Sequence, residues 1–139
     1  MTRVMIFGTF DILHAGHLHL FRTAKNYGDE LIVVVARDLN VSKIKGALPL
    51  HNERERKAML THIDLIDIVT LGDKKNVCTA VHRYKPDIIV LGYDQNHFVE
   101  FLKKELKRCA PATKLFRAKP YKPGLHKTHK IKNYLSRVV

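Results

Sequence analysis

Two histidines three residues apart, His14 and His17, stand inside the stretch Gly8-Thr9-Phe10-Asp11-Ile12-Leu13-His14-Ala15-Gly16-His17. At the start of a helix, residues at that spacing share one side, so both imidazoles can donate hydrogen bonds to the same phosphate. Gly8 lets the backbone approach a ligand closely. A helix start adds free N–H groups and the positive end of the helix dipole, which also suit a phosphate. Other readings of the same residues stay open. A histidine at a helix start is often a cap or a surface residue. Zinc binding through His14 and His17 lacks a third ligand at a recognisable spacing. His19 is out of phase with the pair. Neither a GxxxxGK[ST] loop nor a GxGxxG fingerprint occurs, so phosphate handling must rest on the histidines and on distant cations.

These residues need a frame that brings them together. The apolar run Val4-Met5-Ile6-Phe7 reads as a short buried strand over about 3–8. Leu18, Phe21, Ala24 and Lys25 step at helical spacing over about 15–27, and Gly28 is placed to stop that helix. Residues 31–36, Leu-Ile-Val-Val-Val-Ala, are apolar on both faces, as a central parallel strand should be. A polar segment from Arg37 to Leu50 follows. Asn52 and Glu55 form a capping box for a helix to about Thr61. Strands are expected at about 65–71, 87–91 and 113–117, with helices at about 75–84 and 97–108. Pro86 forbids continuation of the first of these two helices. A loop with Pro120, Pro123 and Gly124 leads to a short final helix capped by Thr128. Neither an internal repeat nor a second domain is visible. The alternation predicts an α/β fold: one Rossmann-like, doubly wound, parallel five-stranded sheet, helices on both faces and a short C-terminal helix. Ligands in such sheets collect at the carboxyl ends of the strands. Those ends carry Gly8 to Asp11, Arg37-Asp38, Gly92-Tyr93-Asp94 and Arg117.

The 139 residues suit one compact domain. No run approaches the roughly 18 apolar residues that span a bilayer, so no membrane role is expected. Met1-Thr2-Arg3 leads straight into a strand, so secretion is not expected. Cys78 and Cys109 lack CxxC spacing; they predict neither a disulfide framework nor a zinc knuckle, and fit a reducing, cytoplasmic setting. The net charge of +12 is unevenly placed: residues 103–139 carry 12 Lys and Arg against a single acidic residue. Such a tail attracts polyanions, either nucleic acid or a nucleoside triphosphate with its substrate phosphate, although basic helix faces are also common without a partner.

The ten residues from Gly8 to His17 resemble the HxGH signature of the cytidylyltransferase-like nucleotidyltransferases. The likeness continues through Ala36-Arg37-Asp38, Lys43-Ile44-Lys45-Gly46, Arg54-Glu55-Arg56, Asp67 and Leu91-Gly92-Tyr93-Asp94-Gln95, covering about residues 3–108. The Gly-Tyr-Asp-Gln form is most similar to the archaeal type of FAD synthase, an FMN adenylyltransferase. Glycerol-3-phosphate cytidylyltransferases are similar but differ around that motif. The resemblance implies that a phosphate on the acceptor attacks the α-phosphate of a nucleoside triphosphate, ATP favoured over CTP, and that pyrophosphate leaves. It implies that His14 and His17 contact the triphosphate and leaving group. Gly8, Thr9 and Phe10 line the phosphates, the last two through backbone N–H groups. Lys43, or less surely Lys45, approaches the acceptor phosphate or the triphosphate. Arg56, Gly92, Tyr93, Asp94, Arg117 and Thr128 help hold the nucleotide, and Asp94 or Asp11 supports Mg²⁺ or another divalent cation. A homodimer is expected because related enzymes are often dimers.

Each role has a plainer alternative. Lys43 and Lys45 read equally as loop lysines, Arg56 as a solvated helix residue paired with Glu53, Asp94 as a helix cap, and Asp11 as a residue that holds the turn in shape. One departure is visible. Relatives carry a Ser/Thr-rich segment before the last helix that closes over the triphosphate. Here residues 126–132 keep Thr128 but replace neighbouring hydroxyls with His126, Lys127 and His129. Cations can take over phosphate contact. The other reading is a nucleotide- or RNA-binding relative that lost the reaction.

Overall fold

The structure is a computed structural model that describes residues 1–120 and 135–137. The elements run β1 (Arg3–Gly8), α1 (Ala15–Lys25), β2 (Glu30–Val35), α2 (Asp38–Lys45), α3 (Glu53–Thr61), β3 (Ile68–Leu71), α4 (Cys78–Tyr84), β4 (Ile88–Leu91), α5 (Asn96–Cys109) and β5 (Lys114–Arg117). The five strands form one sheet in the order β3-β2-β1-β4-β5, and every pair is parallel. The chain winds outward from β1 through β2 to β3. It then crosses back to β4 on the other side of β1. Neighbouring connections therefore leave β1 and β4 in opposite directions, and the crevice between them opens at their carboxyl ends.

Strand side chains alternate between two cores. Val4, Ile6, Leu31, Val33, Val35 and Val90 pack under α1 and α3 with Phe21, Ala24 and Leu60. Met5, Phe7, Ile32, Val34, Ile89 and Leu91 face the other way, against Ala80 and Val81 of α4 and Val99, Leu102 and Leu106 of α5. Because β1, β2 and β4 bury both faces, they read as continuous apolar runs. Among the described residues, no helix is long and apolar enough to cross a membrane.

Three expectations need correction. The polar segment after β2 contains a helix, α2, which buries only Val41 and ends at Gly46 in the left-handed region (φ 77°). A single buried side chain leaves almost no apolar periodicity to read. The third strand starts three residues later than expected, and α4 starts at Cys78. Asp73 accepts from the Lys75 and Asn76 N–H groups, each at 2.8 Å, and Asn76 Oδ1 accepts from Cys78 N at 2.9 Å, so a turn occupies the expected first helical turn. Finally, Cys78 and Cys109 form a disulfide between the start of α4 and the end of α5, with Cα atoms 6.3 Å apart. The sequence spacing of 31 hides a proximity that the helix packing creates. The cysteine argument for a reducing setting therefore lapses. The expected final helix lies mostly outside the described residues; 135–137 are helical.

Candidate active site

The turn between β1 and α1 is built around Phe10. Its φ of 54° is unusual for a residue with a side chain. The buried ring packs on Phe21 (5.4 Å between centroids) and edge-on to His17 (5.3 Å). The same ring explains Gly8: a Cβ there would lie 2.5 Å from Phe10 Cζ. The glycine thus makes room for the protein's own aromatic ring.

His14 caps α1. Its Nδ1 accepts from Gly16 N at 3.1 Å, and His17 Nδ1 accepts in turn from His14 N at 3.3 Å. The two rings stack with centroids 3.9 Å apart. A ring nitrogen that accepts carries no proton, so in each neutral imidazole the proton sits on Nε2. Capping and function are therefore not alternatives: the cap bonds engage Nδ1 and not Nε2 of each ring. Burial, then the nearby charges of His14 and Lys45, lowers the His17 pKa from 6.5 to about 3. His17 is thus a neutral donor in the free protein at neutral pH.

That electrostatic effect also separates the two lysines of α2. Residues two apart on a helix point to different sides. Lys45 is the lysine whose charge reaches His17. Lys43 and Lys45 are both exposed.

Arg56 is not a solvated helix residue, and its ion-pair partner is not Glu53. It is 1% exposed. Its Nη2 bonds Asp38 Oδ1 at 2.7 Å and Ala36 O at 2.8 Å, Nη1 bonds Thr9 O at 2.7 Å, and Nε bonds His51 O at 3.0 Å. Glu53 instead pairs with Arg37 (2.7 Å) and accepts from Asp38 N at 3.0 Å. The Asp38 N–H bond, opposed by burial and reinforced by Arg37, holds the Glu53 carboxyl below its ordinary value. Asp11 accepts from Leu50 N (2.8 Å) and His51 N (2.9 Å), and its side chain is 6% exposed. Its two oxygens hold the loop after α2 against the first turn, which is the turn-shaping role.

On the other side of β1, Gln95 spans the crevice. Its Oε1 accepts from Gly92 N at 2.7 Å and its Nε2 donates to Phe7 O at 3.0 Å. Arg117 Nη1 donates to Tyr93 O (3.1 Å) and Asn96 Oδ1 (2.6 Å), so the end of β5 supports the β4–α5 turn. Asp94 is exposed at that turn. Thr128 and residues 126–132 lie outside the described residues. Among the described residues no group of three or more His, Cys, Asp or Glu is placed to hold a metal ion. Gln95 and His51 are site-shaping residues that the sequence does not reveal as such. Gln95 lay within the quoted Leu91–Gln95 run. His51 carried no signal, because its ties to Asp11 and Arg56 run mainly through its backbone.

Comparison with known proteins agrees with this frame. Residues 5–133 match the cytidylyltransferase-like family. A FAD synthase from Thermoplasma volcanium is 34% identical over 139 residues, spanning the whole chain and 97% of the relative. One from Thermococcus sibiricus is 41% identical over 131 residues (93% of this chain, 88% of the relative). A Thermoplasma volcanium crystal structure, described as a lipopolysaccharide core biosynthesis protein, superposes with a TM-score of 0.79 at 39% identity. It covers 87% of this chain and 98% of its own. A pantoate-β-alanine ligase from Francisella tularensis shares the fold at 16% identity and TM-score 0.60, covering 95% of this chain and 65% of its own. With the histidine pair at the β1–α1 turn, the parallel sheet reversing beside it and the match running over nearly the whole length, the chain belongs to the cytidylyltransferase-like family.

Proposed function

We propose that this chain is a nucleotidyltransferase that makes FAD from FMN and ATP. The observation that carries the reading is the stacked His14–His17 pair at the start of α1, whose cap bonds engage Nδ1 and not Nε2 of each ring. An FMN phosphate oxygen forms a bond to the α-phosphorus of ATP. The bond to the bridging oxygen breaks, its electron pair stays on that oxygen, and pyrophosphate leaves. No protein nucleophile is needed, so the protein's part is orientation and charge stabilisation. His14 and His17 donate to the oxygens that gain charge. Lys45 brings the acceptor phosphate up. The Thr9 and Phe10 N–H groups, which make no hydrogen bond among the described residues, are further phosphate donors. The nucleotide lies over Gly92 to Asp94, which Gln95 and Arg117 hold in place.

Mg²⁺ would supply charge neutralisation on the triphosphate, and it is typically bound through one or two carboxylates plus phosphate oxygens. Asp94, exposed at the mouth of the crevice, fits that need better than Asp11, whose oxygens already accept two backbone N–H bonds.

The acceptor is argued from surface character. Leu39, Ile44, Leu48 and Leu50 are exposed on α2 and the loop that follows it, with Ile44 at 78% and Leu50 at 67%. A flavin ring needs apolar surface to lie on, whereas glycerol 3-phosphate does not. Pyrophosphate release with ATP plus FMN, and with CTP plus glycerol 3-phosphate, tests the proposal against a His17→Ala control. FAD formation with the first pair is expected. No release above the control from any pair sinks the enzyme reading. A homodimer and a cytoplasmic location belong to the same proposal; sedimentation tests the first. RNA binding with a steep salt dependence and no turnover would favour the non-catalytic reading.

A further inference from the structure

Arg56 is the largest fully buried side chain among the described residues, and it is charged. A buried guanidinium is costly unless every N–H finds a partner. Here four of its five N–H groups have acceptors, from three separate segments: Thr9 in the β1–α1 turn, Ala36 and Asp38 at the β2–α2 junction, and His51 in the loop after α2. A guanidinium so occupied is directed at the protein.

We propose that Arg56 is a positioning residue for nucleotidyl transfer, acting through the Phe10 N–H and through the α2 arm without touching substrate. The proposal rests on the transfer reading above. Two geometric links carry it. The first is peptide planarity. In a trans peptide the C=O and the next N–H point in opposite directions. The 2.7 Å bond from Arg56 Nη1 to Thr9 O therefore turns the Phe10 N–H away from Arg56. That amide has no partner among the described residues, and the ring of the same residue packs edge-on to His17. The bond also helps hold Phe10 at its unfavourable φ of 54°. The second link is the loop. Leu50 and His51 are gripped by Asp11 through their N–H groups, and His51 is gripped by Arg56 through its carbonyl. His51 Nδ1 adds a 3.0 Å contact to Asp11 O. Asp38 is the first residue of α2 and pairs with Arg56 directly. Both ends of the α2 arm are thus fastened to the first turn, and Lys45 lies between them. Arg56 sets the spacing between that lysine and His14–His17, where misplacement by about 1 Å costs on the order of a hundredfold in rate.

The test is full-length Arg56→Lys, which keeps the charge but cannot reach all three segments. Steady-state kinetics give kcat and both KM values. Calorimetry gives the ATP Kd without FMN at two salt concentrations. We expect kcat to fall about 30-fold or more while the ATP Kd shifts less than about fivefold with its salt dependence kept, since one misdirected N–H donor is worth that much. A loss of ATP affinity of about 30-fold or more would make Arg56 a direct phosphate ligand and overturn the proposal. Unchanged kcat and Kd would make it purely structural and overturn it equally. If Arg56→Lys does not fold, Asp11→Asn loosens the same arm from the other side. A kcat loss of about tenfold with ATP affinity kept then supports the proposal, and an unchanged kcat rejects it. Wild-type turnover is scored first, so absence of FAD formation counts against the transfer reading. The ATP-binding arm still decides whether Arg56 touches nucleotide.

Discussion

His17 does different work with its two ring nitrogens. Nδ1 closes the cap of α1, and Nε2 carries the proton of the neutral ring. Substitutions should separate the two. Asn at position 17 can still accept from His14 N but cannot donate at the Nε2 position; Ala does neither. Both variants should lose about a hundredfold in kcat, the typical effect of removing one preorganised donor. Only His17→Ala should also lose about 1 kcal/mol of stability, as expected for a lost helix cap. Steady-state assays and urea midpoints check the pair. The low His17 pKa adds a pH effect. As pH falls below 6.5 the unfolded chain takes up a proton at this position, while the folded chain resists until about pH 3. Stability should therefore decline with falling pH across that window and gain nothing from His17 above it. Urea midpoints at pH 7, 5.5 and 4 should fall more steeply for wild type than for His17→Asn. Equal slopes would refute the assignment. The depressed Glu53 carboxyl acts in the same direction at lower pH, because it loses its Asp38 and Arg37 partners on protonation.

Helix α2 illustrates how an element escapes sequence reading. It buries one side chain, so its existence depends on its ends: Asp38 bound to Arg56 and Gly46 free to take a positive φ. The helices α1, α3 and α5 were legible because they bury apolar stripes or carry recognisable caps. The disulfide is a second device that joins elements distant in sequence. Linking residues 31 apart removes loop entropy from the unfolded chain. Reduction should lower stability by about 3–4 kcal/mol on the chain-entropy account. Denaturant midpoints with and without a thiol reductant check this, with Cys78→Ala/Cys109→Ala as the control that should no longer respond.

Across the whole molecule, topology turns separated motifs into one crevice. The sheet order places β1 beside both β2 and β4. Residues 8–17, 36–56 and 92–95 thereby meet at one edge, with Arg117 arriving from β5. The charge asymmetry belongs to this scale as well. Most of the net charge of +12 resides in residues 103–139. Replacing Lys127, Lys130 and Lys132 together with alanine should raise the KM for ATP about tenfold and flatten its salt dependence, because the attraction of a basic segment for a triphosphate is screened by salt. KM measured from low to moderate salt tests this; an unchanged slope would show that the tail does not meet the nucleotide.

The sequence by itself determined the fold class, the position of the site on the β1–α1 turn and the histidine pair. Each is a local pattern: an apolar run, a helical spacing, a ten-residue motif. Tertiary structure alone decided which way the long polar side chains turn. It committed Arg56 and Asp11 to the protein's own backbone, gave Gln95 its span from Gly92 to Phe7 and paired the two cysteines. The physical reason is common to all of these. A cation or carboxylate is satisfied by whatever acceptor or donor the folded chain brings within 3 Å, and those partners lie tens of residues away in sequence.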